Sequence, residues 1–193
     1  KIKCMLSAEE EFSQVKKAQE DISFFEPLYN KYYLPIFYFL SKRTFNKDLA
    51  GEITAEVFLK ALENIKKFKF QGLPFAPWLY RIAVNTLNDR HRKNASFRVV
   101  DVTTTQLEEI TSEIEPHDKE ELEERMEQMQ HILTQLDADE LLMIEMRYFE
   151  KRRFKEIAEI LDITEESARV KSHRIMQKMK GMLNLKVSKH GKA

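Results

Sequence analysis

Along most of this chain, apolar and aromatic residues recur every three or four positions, the period of a helix with one buried face. Between Phe24 and Arg43, the positions Leu28, Tyr32, Leu34, Pro35, Phe37, Tyr38 and Leu40 predict a helix with a bend at Pro35, whose ring removes an amide donor. Ile53, Val57, Phe58, Ala61, Leu62 and Ile65 form the buried stripe of a second helix, with Asn46 or Asp48 placed to cap it. A loop follows, Phe68-Lys69-Phe70-Gln71-Gly72-Leu73-Pro74-Phe75, with breakers at Gly72, Pro74 and Pro77. A third helix runs from Ala76 or Trp78 to His91 or Lys93. Residues 97–118, with Val102-Thr103-Thr104-Thr105 and many acids, read as a linker with at most short helical stretches.

Periodicity resumes at Leu122–Leu136, through Met126, Met129, Ile132, Leu133 and Leu136. Asp137 or Asp139 is placed to cap a helix reaching Phe149, and a last pair covers Phe154–Leu161 and Glu165–Leu183. Residues up to about Ser23 are polar and acidic, a helix or a loose leader. No run alternates as a strand does, so the expected fold is all-α, in two small helical domains.

Composition narrows the classes. A chain of 193 residues with 42% hydrophobic residues supports one core or two small ones. Only 4 glycines and 5 prolines disfavour a sandwich, a barrel or a fold built on glycine loops. No apolar run is long enough to span a bilayer, the first residues lack a signal-peptide layout, and Cys4 is the single cysteine. The expectation is a soluble protein of a reducing compartment, the cytoplasm.

The net charge of zero conceals three blocks. Lys31 to Arg98 carries a net +8, Asp101 to Glu127 a net −9, and Arg147 to Lys192 a net +7. Two basic modules joined by an acidic strap suit a protein that grips a polyanion at two places, although a charge run is more often only a solvated face.

The second basic block contains a short helix, a tight turn and a longer helix. Ala158 is small where two helices cross, Ile157, Leu161 and Ile163 are apolar at the corner, and Asp162 tolerates a left-handed turn. Thr164 is placed to cap the following helix, with Glu165 and Glu166 at the positive end of its dipole. Ala168, Ile175, Met179 and Met182 share the inner arc. Glu166, Arg169, His173, Arg174 and Gln177 lie opposite, with Lys171 and Lys178 at the edge. Such a helix fits a major groove, where arginine reads guanine and lysine neutralises phosphate. The bland alternative is a helical hairpin with a solvated basic face.

In the first block, Arg81, Asn85, Asn88 and Arg92 share one stripe of the tryptophan helix, a set able to contact phosphates and base edges. Before it, Phe68, Phe70 and Phe75 are mixed with Lys66, Lys67 and Lys69, offering stacking surfaces for unpaired bases. The competing reading makes these rings core anchors, and for Trp78 that reading is preferred.

FFEPLYNKYY, AGEITAEVFLKAL, WLYRIAVNTLNDRHRK and FKEIAEILDITEESARVKS, in that order with an acidic linker between the third and fourth, resemble bacterial RNA polymerase sigma factors of the sigma-70 family, extracytoplasmic-function (ECF) group. The resemblance implies a promoter-specificity subunit and not an enzyme, without cofactor or metal. It implies a leader at 1–21, region two at 22–96, an acidic linker at 97–119 and region four at 120–188. Region two would bind the β′ clamp helices of core polymerase through Asp48, Glu52 and Glu56. It would capture and melt the −10 element with Phe68, Phe70, Phe75, Arg81, Asn85, Asn88 and Arg92. Region four, which in such factors also meets the β subunit, would read the −35 element with Thr164, Arg169, Lys171, Ser172, Arg174 and Lys178. The linker would enter the RNA path, and an anti-sigma factor is an implied partner. Two departures stand out. Ala55 occupies the place of the family's usual glutamine, and Arg169-Val-Lys-Ser-His-Arg174 replaces the usual Thr-Val-Lys-Ser-Arg-Leu.

Two other readings fit part of the pattern. A stand-alone helix-turn-helix regulator with a helical sensor or dimerisation domain would bind duplex DNA without polymerase. A helical enzyme fits poorly: His91, His117, His131, His173 and His190 are scattered, with no ligand spacing and no nucleophile motif.

Overall fold

The computed structural model describes residues 8–44, 46–70, 72–93, 102–114 and 119–190, all helical apart from turns and short connections. They divide into two compact units, one running through the tryptophan helix, the other beginning after it, with Glu159–Asp162 grouped with the first.

In the first unit, α1 (Ala8–Glu20) opens on three glutamates, which suit the positive end of its dipole, and buries Val15 and Ala18. Asp21 accepts from the Ser23 amide and starts a 3-10 turn, Ile22–Phe25. α2 (Glu26–Thr44) carries Pro35 inside it and buries Leu28, Tyr32, Ile36, Phe39 and Leu40. The Asn46 side chain accepts from the amides of Asp48 and Leu49 at 2.9 and 3.1 Å, so Asn46 caps α3 (Lys47–Asn64). α3 lies between α2 and α4 (Phe75–Lys93) and buries Ile53, Val57, Phe58 and Ala61. Ile53, Val57 and Phe58 each contribute about 1.5–3 kcal/mol by leaving water, and together they fix the α2–α3–α4 core.

The second unit starts where the sequence reads as a linker. α5 (Thr104–Ile114) has Thr103 as its cap: Thr103 Oγ1 accepts from the Gln106 amide at 3.3 Å, and Gln106 Oε1 accepts from the Thr103 amide at 3.1 Å. Leu107, Ile110, Thr111 and Ile114 form a stripe buried against α6 (Lys119–Gln135) and α9 (Glu165–His190). Asp137 and Glu140 form a reciprocal capping box at the start of α7 (Ala138–Ile144), which runs on into a π-turn, Glu145–Phe149. α8 (Phe154–Leu161) precedes α9, whose inner arc is Ala168, Ser172, Ile175, Met179 and Leu183. Among the described residues, no helix is long and apolar enough to cross a membrane.

The packing of α5 gives a direct expectation. Ile110→Val should destabilise the second unit by about 0.5–1.5 kcal/mol, the usual cost of one buried methyl group. Trp78, the only tryptophan, sits in the first unit. Its urea transition should stay in place while the far-ultraviolet circular dichroism midpoint falls. A linker helix with no packing role would shift neither.

Candidate nucleic-acid interface

The aromatic loop has a fixed base and an exposed tip. Phe75 is the first residue of α4 and is 1% exposed, because it lies one turn before Leu79 on the buried stripe. Phe68 packs edge-on against Phe75 at 5.4 Å and against Trp78 at 5.3 Å, and Phe75 meets Trp78 at 5.1 Å. Phe68 and Trp78 remain half-buried, whereas Phe70 is 51% exposed. Lys66, Lys67 and Lys69 are exposed around them. A buried ring cannot stack on a base, so Phe75 is a core anchor, and the usable surfaces are Phe68 and Phe70.

Along α4, Asn85 and Asn88 are exposed and Arg81 is half-buried, while the side chain of Arg92 lies outside the described residues. On the neighbouring helix, Glu56 accepts from Arg90 Nη2 at 2.8 Å and pairs with Lys60 at 2.9 Å, and Lys60 also donates to Thr86 at 3.1 Å. The Arg90 hydrogen bond, then that of Lys60, lowers the Glu56 pKa below its ordinary value, and Glu56 raises that of Arg90. Glu56 is therefore committed to joining α3 to α4. Asp48 and Glu52 are exposed, and Leu59, one more turn along the same stripe and missed by the sequence reading, is 56% exposed.

A folded-state pKa below the unfolded one gives Glu56 a stabilising effect that is present above the unfolded value and lost as pH falls through the folded one. Because the Glu56 and Arg90 side chains are 29% and 45% exposed, solvent screening leaves only a few tenths of a kcal/mol. Glu56→Gln should flatten the acid limb of stability below about pH 5 by that amount. Thermal melts of both proteins between pH 7 and pH 4 measure it.

The turn before α9 has the expected chemistry. Asp162 has φ 56°, the Ile163 amide donates to the Ala158 carbonyl at 3.0 Å, and Ala158 is buried. Thr164 Oγ1 accepts from the Ser167 amide at 3.1 Å and caps α9. The helix then sorts its polar residues unequally. Ser172 is 2% exposed, since it lies four residues after Ala168 and three before Ile175, and it faces the core. Lys178 is held by Glu140 at 2.6 Å, which ties α9 to the α7 cap. Arg169 pairs with Glu165 at 2.5 Å and lies over the Phe154 ring at 4.9 Å, a ring also covered by Arg147 at 4.6 Å. Arg174 is exposed and Lys171 half-exposed. Beside them stand Val170, 43% exposed and left out by the sequence reading, and Ile163, which the sequence placed at the buried corner but which is 36% exposed. Apolar side chains flanking an arginine are suited to thymine methyl groups beside a guanine edge.

Among the described residues the fold is all-helical, and a capped helix-turn-helix and an aromatic loop over a tryptophan helix are both arrangements suited to binding nucleic acid. Residues 28–97 match the Sigma-70 region 2 family and residues 132–181 match Sigma-70, region 4, together well over half the chain. The chain belongs to the sigma-70 family of RNA polymerase sigma factors, in its ECF group, and is a promoter-specificity subunit with core polymerase and promoter DNA as partners. It is similar to RNA polymerase sigma factor YlaC of Bacillus subtilis, 24% identical over 80% of this chain and 89% of the relative. ECF RNA polymerase sigma factor SigW of the same organism is 28% identical over 83% of this chain and 88% of the relative. In fold it resembles CnrH, solved in complex with the cytosolic domain of CnrY, with a TM-score of 0.57 at 16% identity over 91% of this chain and 97% of that one. The match to region 2 leaves no support for a separate sensor domain in a stand-alone regulator.

Proposed function

We propose that the two units divide promoter recognition between them. The second reads duplex −35 DNA through α9, with Arg174 and Lys171 foremost, Val170 and Ile163 beside them, and Arg169 available once it leaves Glu165. Thr164 sets the helix start, and Ser172 and Lys178 hold α9 in place. The first unit captures the −10 strand with Phe68 and Phe70 and guides it along Arg81, Asn85, Asn88 and Arg92. Asp48, Glu52 and Leu59 form the face toward the β′ clamp helices, with Glu56 as its internal support.

The protein acts in the cytoplasm as an initiation factor without catalysis of its own. An anti-sigma protein is its expected inhibitor, a reading supported by the CnrH–CnrY complex named for the structural relative. The observation that carries the division is the contrast between the two sites: a capped, arginine-bearing helix in one unit, and in the other an exposed Phe70 and a half-buried Phe68 among lysines. Groove helices read paired bases, whereas aromatic surfaces hold bases that have left the stack. Run-off transcription from a promoter library with purified core polymerase tests it. Specific transcripts should require both components, and the chain alone should bind duplex weakly because few phosphates are contacted. Tight, specific duplex binding without polymerase contradicts the proposal.

A further inference from the structure

The stretch before Ser23, which reads as a leader, contains a helix, α1, that touches the aromatic loop near its start, at Phe70 and at its end. Gln19 Nε2 on α1 donates to two carbonyls, Ile65 at 2.9 Å and Phe68 at 2.8 Å, where the chain leaves α3 and enters the loop. The Phe12 ring packs on Phe70 at 4.6 Å, with the Lys16 ammonium 4.5 Å from the Phe12 centroid. Glu11, 4% exposed, accepts from the Phe75 amide at 2.8 Å, where the loop ends and α4 begins. Its second oxygen accepts from Lys31 and the Tyr32 hydroxyl. A buried carboxylate is costly unless every acceptor site is filled, and here three donors from two other elements fill it.

From this geometry we infer that α1 is the positioning element of the promoter-melting loop, with Glu11, Phe12 and Gln19 as its positioning residues. The inference rests on the reading of Phe68 and Phe70 as the −10 capture surface. A base leaving the duplex stack gains stacking energy only if the receiving ring is already in place, because ordering a loop on binding consumes much of that gain. α1 removes that cost in advance. Gln19 joins the Ile65 carbonyl, which also accepts from the Phe68 amide at 3.1 Å, to the Phe68 carbonyl, while Phe12 seats the exposed ring and Glu11 caps α4 so that Trp78 and Phe75 hold their places beneath Phe68.

Gln19→Ala and Phe12→Ala test this, since both keep a helix-compatible residue at a half-buried position of α1. Glu11→Gln is a third variant that keeps one acceptor toward Phe75. Trp78 lies against Phe68 and Phe75 and is the only tryptophan, so its emission reports the loop in the free protein without DNA. The Gln19→Ala protein should show red-shifted, more quenchable Trp78 emission and unchanged affinity for core polymerase. Its holoenzyme should open a duplex promoter about ten- to a hundred-fold more slowly, read by permanganate reactivity of −10 thymines. Phe68→Ala,Phe70→Ala holoenzyme runs beside it. Unchanged Trp78 emission overturns the brace. Shifted emission with wild-type opening, while the loop variant is defective, overturns the positioning role. Wild-type opening in the loop variant itself overturns the loop reading instead, and leaves the Trp78 result to decide whether α1 braces the loop.

Discussion

Alanine at both Phe68 and Phe70 is expected to slow promoter opening by about a hundredfold or more, while capture of the closed duplex stays near normal. Each base–ring stack is worth about 1–3 kcal/mol, and every 1.4 kcal/mol is about a factor of ten. The two substitutions test different features. Phe70 is half in solvent and, among the described rings, packs on Phe12, so its removal leaves the core intact and any defect is a binding defect. Phe68 also supports Phe75 and Trp78, so its loss additionally loosens the base of the loop. Phe75→Ala should behave differently from both. Removing a fully buried ring costs about 3–5 kcal/mol of stability, and the variant should fail by unfolding the first unit. Opening rates from permanganate reactivity, paired with thermal midpoints, separate these cases.

Arg174→Ala with Lys171→Ala should weaken binding of holoenzyme to an upstream duplex by roughly ten- to a hundred-fold, since a bidentate arginine–guanine contact is worth about 1–3 kcal/mol. The lysine carries a phosphate contact, so its loss should also reduce the salt dependence of log K by about one. Arg169→Ala should cost less. Its guanidinium is already satisfied by Glu165 and by the Phe154 face, and moving onto DNA would exchange those contacts for new ones. Fluorescence anisotropy against a −35 duplex at two salt concentrations measures all three.

The helix-turn-helix was legible because each of its positions has distinctive local chemistry. A small residue at the crossing, Asp162 at positive φ and Thr164 as cap satisfy separate backbone requirements, and the structure has all three. Which residues of α9 face outward was less so. Ser172 enters the candidate set by resemblance, yet its spacing from Ala168 and Ile175 puts it on the buried arc. Phe75 was lost the same way, since only its register with Leu79 distinguishes it from Phe70. In α5, the Thr103-x-x-Gln106 capping signature and the 107, 110, 111, 114 spacing were present, but the surrounding acids made the stretch read as a linker. α1 left the weakest trace. Its core contribution is Val15 and Ala18, and its chief contacts are polar pairings across tens of residues, Glu11 with Phe75 and Gln19 with Phe68. No local pattern encodes pairings of that range.

The division of labour between the two units is tested most directly by permanganate footprinting of one promoter as intact duplex and with its −10 element already melted. Holoenzyme carrying Arg174→Ala and Lys171→Ala should lose thymine reactivity on the duplex through failure to bind. It should start transcripts normally on the melted template. Holoenzyme carrying Phe68→Ala and Phe70→Ala should occupy the duplex and leave its thymines unreactive. Failure of the α9 variant on the melted template, or wild-type thymine reactivity with the loop variant, contradicts the account.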